Sequence, residues 1–260
     1  MAETDLTQIE AARPRKIRFD WIFPLFFRPA RTLKAITAEE NGVWLGPLLI
    51  LTLLAILVVV AGAPIRTQMA QATGELPPDF QYWMPEQQEQ YLAGQANRAG
   101  PLFIYGFPIM GALAAVWIPW FLLGSILHLV LTMSGSRGSN TAALNLVGWA
   151  SLPFAIRFIV HGINLLVSQK MLVAPGVSGF VSAEAGGLTA FLRSALTQVD
   201  LYWIWMVVLL LGGVLPLTGL KKGKAWLAVF LSVGIVLALH GLPGLIAASL
   251  GGLTAAQPLY

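Results

Sequence analysis

Between Pro101 and Tyr260 the chain carries only nine Asp, Glu, Lys or Arg residues, and none after Lys224. A water-soluble fold of that size needs several times as many to keep its surface hydrated. Soluble domains devote about 25% of their residues to charge, whereas this 260-residue chain reaches 11% and is 57% hydrophobic. The apolar residues come in blocks, and a hydrocarbon core about 30 Å thick is crossed by about 20 helical residues. Five blocks meet that length, at about 43–63, 101–133, 142–167, 200–218 and 225–245. The expected fold is therefore all-α: a polytopic integral membrane protein, a bundle of five transmembrane helices.

The organisation expected from these blocks is a cytoplasmic segment at 1–42, a membrane domain at 43–250 and a short uncharged tail at 251–260. The first 42 residues open on a polar, charged stretch and not on a short apolar run with a cleavage site, so no removable signal peptide is expected. Without Cys, disulfides, thiolate metal sites and Cys nucleophiles are excluded. The net charge of +4 does not point to nucleic acid, because the basic residues flank apolar segments, as expected beside an anionic leaflet. Counting Lys and Arg gives the orientation. One side holds the seven within 1–42, Arg137, and Lys221, Lys222 and Lys224; the other holds Arg66, Arg98, Lys170 and Arg193. Eleven against four puts the amino end in the cytoplasm and the carboxyl end outside, in a plasma or inner membrane. Four crossings would result if the last segment folded back at Leu242-Pro-Gly244.

Residues 18–36 are aromatic and basic but broken by Pro24 and Pro29. They are expected to form an amphipathic interfacial helix, with Phe19, Trp21, Phe23 and Phe26 among acyl chains. Arg28, Arg31 and Lys34 form a basic strip for the acidic lipid surface. The second apolar block is 33 residues long, more than one crossing needs, so it should tilt, protrude or kink at Pro108 or Pro119.

Polar residues inside the blocks are few. Arg157, His161 and Asn164 fall at i, i+4 and i+7 and share one helix face. An Arg within a span costs about 2.5–3.5 kcal/mol on insertion scales, so it calls for a partner. Asp200, at the mouth of the fourth span, is the expected one. The face has two readings, an interhelical clamp with Asp200 or the wall of a polar path. His128, His161 and His240 lie at depths that do not suit one zinc site, and no metal or other cofactor is expected. Each span after the first holds a Pro, and Gly111/Ala115, Ser151/Ala155 and Gly234/Ala238 are small pairs that permit close helix approach. No H-E-x-x-H, G-x-S-x-G or Walker loop occurs, so no catalytic residue is expected.

Several segments, in order, resemble the Yip (Ypt-interacting protein) domain family: Phe27-Arg-Pro-Ala-Arg-Thr-Leu-Lys-Ala-Ile36, Trp44-Leu-Gly-Pro-Leu-Leu49, Gly148-Trp-Ala-Ser-Leu-Pro153, Asp200-Leu-Tyr-Trp-Ile-Trp205 and Gly219-Leu-Lys-Lys-Gly-Lys-Ala-Trp226. The likeness covers about residues 25–250. It implies an all-helical five-span bundle with a cytoplasmic amino end and brings no catalytic residues. Eukaryotic relatives act in vesicle traffic, binding small GTPases and one another, while some prokaryotic members accompany export or efflux machinery. The function expected is a non-enzymatic membrane scaffold or accessory subunit. Its partners would be the bilayer and a membrane protein or a second copy, with no nucleic acid. The alternative is a small-solute or ion pathway lined by Arg157, His161 and Asn164.

Overall fold

In a computed structural model, residues 17–72, 76–172, 174–182 and 186–255 are described. Among them every regular element is a helix. In chain order these are α1 (Ile22–Phe27), α2 (Pro29–Ala38), α3 (Leu45–Ala61), α4 (Ala63–Ala72), α5 (Pro85–Arg98), α6 (Phe107–Met133), α7 (Asn140–Ala150), α8 (Pro153–Ser168), α9 (Gly187–Leu196), α10 (Leu201–Leu217) and α11 (Lys222–Ala255). A π-helical turn, Leu102–Gly106, leads into α6.

Four helical runs are long and apolar enough to cross a membrane: Leu45–Gln71, Leu102–Met133, Asn140–Ser168 and Lys222–Leu250. The fourth expected span differs from the rest. α10 has 17 residues, about 25 Å at 1.5 Å per residue. It reaches crossing length only together with α9, and the two are bent by 71°. The protein is thus a helical membrane bundle of four spans, or five if the bent pair counts as one. The uncertainty expected at Leu242-Pro-Gly244 lies elsewhere, because α11 runs unbroken through Pro243. α6 likewise continues through Pro119.

The spans close into a ring. α3 packs on α6, α6 on α11, α11 on α10, α10 on α8, and α8 back on α3. α7 belongs to the same span as α8 but lies inside the ring, touching α3, α6 and α10. Its residues Asn145 to Ala150 are all buried. The division between α7 and α8 has a local cause. Pro153 supplies no N–H and occupies the first turn of α8, while the Ser151 hydroxyl donates to the Val147 carbonyl at 2.8 Å. Ser139 opens α7 by accepting the Ala142 N–H at 3.1 Å.

The amino-terminal helices are not simply laid on lipid. Leu25, Leu33 and Ile36 are at most 1% exposed, because α2 packs beneath α7 and α10. Trp21 meets Trp149 edge-on, with ring centroids 5.6 Å apart, and Phe26 meets Trp205 at 5.3 Å. Of the four aromatics expected among acyl chains, Phe19 and Phe23 are exposed while Trp21 and Phe26 face protein. An amphipathic helix buries its apolar side against either medium, and the sequence pattern is the same for both.

Two of the three small pairs are not close approaches: a Cβ added at Gly111 or Gly234 would meet nothing within 4 Å, so those faces are open, while Ser151 and Ala155 are buried. Tight crossings the sequence did not flag include α10 and α6 on α7, at Gly213 and Gly124, and α9 on α11, where a Cβ on Gly244 would run into the Ala190 carbonyl oxygen.

Candidate functional site

Where α7 stops short of filling the ring, a cavity of about 230 Å³ remains. Its floor and walls are apolar: Leu48 and Leu51 of α3, Val116, Trp120 and Leu123 of α6, Val147 of α7, Met206 of α10, and Val233 and Val236 of α11. Its rim is polar, with Arg157 and His161 of α8, Gln198 at the α9–α10 corner and His240 of α11. Among the described residues α1 and α2 contribute nothing to this lining, which at the α7 end consists of Val147 and the Ser151 that follows it.

The floor is held by tryptophan and one amide. Trp149 is 0% exposed and its Nε1 donates to the Val43 carbonyl at 3.0 Å. Asn145, also 0% exposed, accepts the Val43 N–H at 2.8 Å and donates to the Asn41 carbonyl at 2.9 Å. These bonds fasten the chain entering α3 to α7 and satisfy the buried N–H and carbonyl of Val43. Trp120 Nε1 donates to the Leu144 carbonyl at 3.0 Å, and its ring lies 4.6 Å from that of Trp44. Gly148 is closely packed, and a Cβ there would sit 3.0 Å from Trp44 Cβ and 3.3 Å from Trp120 Nε1.

The rim is organised by one ion pair. Arg157 Nε lies 3.0 Å from Asp200 Oδ2, with both side chains about one-fifth exposed (23% and 19%). Arg157 Nη2 also donates to the Thr197 carbonyl at 3.3 Å, and the guanidinium carbon stands 5.8 Å from the Phe154 ring centre. Asp200 does double duty: Oδ1 accepts the Trp203 N–H at 2.9 Å and caps α10. The pair thus ties α8 to the corner from which α10 starts. Ser194 of α9 donates to the His240 carbonyl at 2.8 Å. His240 Nδ1 lies 3.0 Å from the Val236 carbonyl; a carbonyl accepts only, so Nδ1 carries the proton and Nε2 is an acceptor.

Of the residues singled out in sequence, Arg157, His161 and Asp200 meet at this rim. Asn164, one turn further along α8, does not line the cavity, and its carbonyl accepts the Ser168 hydroxyl. His128 stands apart on α6, while His161 and His240 share the cavity. Among the described residues no three His, Asp or Glu side chains are grouped to hold a metal ion. Arg28, which precedes α2, and Arg31 and Lys34 on α2 are exposed, whereas Thr32, Leu33 and Ile36 are buried. Asn145 and Gln198 were not singled out; a lone amide in the apolar run 142–150 was the available signal for the first. Arg66 was also missed as a structural residue. It donates to the carbonyls of Ile104, at 3.0 Å, and Val59, tying the end of α3 to the π-helical turn.

A family model described as Yip1 domain matches residues 23–244. The chain belongs to the Yip1 family. Neither a curated protein nor a solved structure matches it. The matched stretch takes in α1 and α2, the α7 plug, the Arg157–Asp200 pair and the ring as far as Gly244 of α11. The segments that carried the resemblance have identifiable work in this Yip1 domain. Gly148 to Pro153 form the α7–α8 break, Asp200 starts α10, and Trp226 Nε1 donates to the Leu211 carbonyl at 3.1 Å, locking α11 to α10.

Proposed function

We propose that this Yip1-family protein is a non-enzymatic membrane scaffold or accessory subunit that packs against partner membrane proteins in an export, efflux or trafficking-type assembly. The observation that supports this reading most is the α7 plug. Among the described residues a helix buried from Asn145 to Ala150 sits inside the ring, which favours a scaffold over a continuous aqueous route. Outside, the ring presents apolar faces, among them Leu53, Leu57, Ile118, Phe121, Leu227 and Phe230, suited to lipid or to other spans. The arrangement proposed is 1–42 on the cytoplasmic side, 43–250 as the membrane domain and 251–260 as a tail, in a plasma or inner membrane with the carboxyl end outside. Arg28, Arg31 and Lys34 would lie against anionic headgroups.

Capture from native membranes in mild detergent tests the scaffold reading. A reproducible stoichiometric partner is the expected result, and a clean monomer at native expression contradicts it. Labelling of Arg137→Cys and Glu89→Cys with an impermeant thiol reagent tests the orientation; reaction from opposite sides is expected.

The pathway reading keeps one supporting observation, the polar rim at Arg157 and His161. It requires solute flux in liposomes that falls on His161→Ala while the thermal transition is unchanged, and it requires α7 to move.

A further inference from the structure

The cavity is more than slack left by packing, because its rim holds hydrogen-bonding groups that the fold does not consume. Arg157 commits Nε to Asp200 and Nη2 to Thr197, leaving the two N–H donors of Nη1 uncommitted. The side chains of His161 and Gln198 make no hydrogen bond within the described residues. His240 holds Nε2 in reserve. We propose that this chamber binds a single-chain, singly charged carboxylate amphiphile of the fatty-acid class, its carboxylate at Arg157, His161 and Gln198 and its chain on the apolar floor.

Size, charge and donor balance select that ligand. Sites that bury whole drug-sized molecules run to about 300–1,000 Å³, and this one has about 230 Å³. That room, worth about seven or eight waters at about 30 Å³ each, accommodates one short chain and excludes a two-chain lipid or a nucleotide. The walls below the rim, Leu51, Val116, Met206 and Val233, offer nothing to a polar solute. At the rim, donors outnumber acceptors, which suits a carboxylate because it accepts only. Asp200 already balances the charge of Arg157 at 3.0 Å. The rim is therefore neutral before a ligand arrives, so a single carboxylate charge is held by the free donors alone, and the second charge of a phosphate monoester would double an uncompensated charge beside Asp200. An alcohol would leave most of the donors unpaired.

The test uses the full chain in nanodiscs, with radiolabelled decanoate measured by equilibrium dialysis against empty nanodiscs of the same lipid. Saturable uptake at one site per chain is expected, with decanol and decyl phosphate each at least about tenfold weaker, a difference of about 1.4 kcal/mol. Val116→Phe fills the floor and should abolish the saturable component. His161→Ala, at the half-exposed rim and outside the Arg157–Asp200 pair, should weaken decanoate about three- to tenfold and leave decanol unchanged. Uptake no greater than in empty discs overturns the proposal, as does decanoate binding that neither variant alters, or decanol binding as tightly as decanoate. Partner capture is read separately, so failure here leaves the scaffold reading standing and the reverse also holds.

Discussion

The two ends of the ring are built on opposite principles. At the α7 end, volume is filled: Trp149 and Asn145 are fully buried, every polar side-chain atom they carry is bonded to backbone, and Trp44 and Trp120 pack closely on Gly148. At the α9–α10 corner the helices diverge by 71°. What holds that end is the close crossing of α9 on α11 at Gly241 and Gly244, one ion pair and a few side-chain-to-carbonyl bonds, beside a half-open space. In a bilayer this contrast has a clear physical meaning. Lipid tails are as apolar as Leu, so burial alone does not drive helices together. Close packing and interhelical hydrogen bonds must do so. The filled end supplies that cohesion around α7, whereas the other end concentrates it on the α9–α11 crossing and leaves the Arg157 side partly open.

The difference can be broken first at the filled end. Trp149→Ala removes a fully buried ring and the donor to Val43, and should cost about 3–5 kcal/mol, measured by denaturant unfolding in detergent. Asn145→Ala should follow at about 1–3 kcal/mol, because it strands the Val43 N–H in a dry site. Asp200→Ala attacks the other end. Its partner is partly exposed, so a loss of about 1–2 kcal/mol is expected and not the larger cost of a fully buried unpaired charge. A double-mutant cycle with Arg157→Met should return most of that loss as coupling. Gly111→Ala and Gly234→Ala, on open faces, should stay within about 0.5 kcal/mol. If Asp200→Ala proves costlier than Trp149→Ala, the assignment of cohesion to the α7 end fails.

How much of this was readable in advance follows from the kind of signal each feature leaves. Scarcity of charge after Pro101 marks the spans because the bilayer tolerates little else. The partnership of Arg157 with Asp200 was legible because a charge at depth demands an opposite charge, and only one lay near the right mouth. The inward placement of α7 was not. Its run Ala142 to Ala150 is apolar on nearly every side, so periodicity gives no face to orient. The inward turn of Trp21 and Phe26 escaped for the reason already seen in α1 and α2: lipid and protein attract the same side chains. The close crossing of α9 on α11 rests on Gly244, and a glycine in sequence does not say which neighbour its missing Cβ admits.

The central claim proposed is that the ring encloses a chamber entered at its polar rim, beside the Arg157–Asp200 pair, and stopped by α7. Accessibility of single cysteines tests it most directly, since the chain has none of its own. Gln198→Cys, His161→Cys and Val147→Cys would be exposed in sealed vesicles to a membrane-impermeant thiol reagent from each side in turn. The first two should react from the α5 side alone, with Val147→Cys protected from both. Reaction of any of the three from the side that holds α2 would mean the chamber is a passage, and the account would be contradicted.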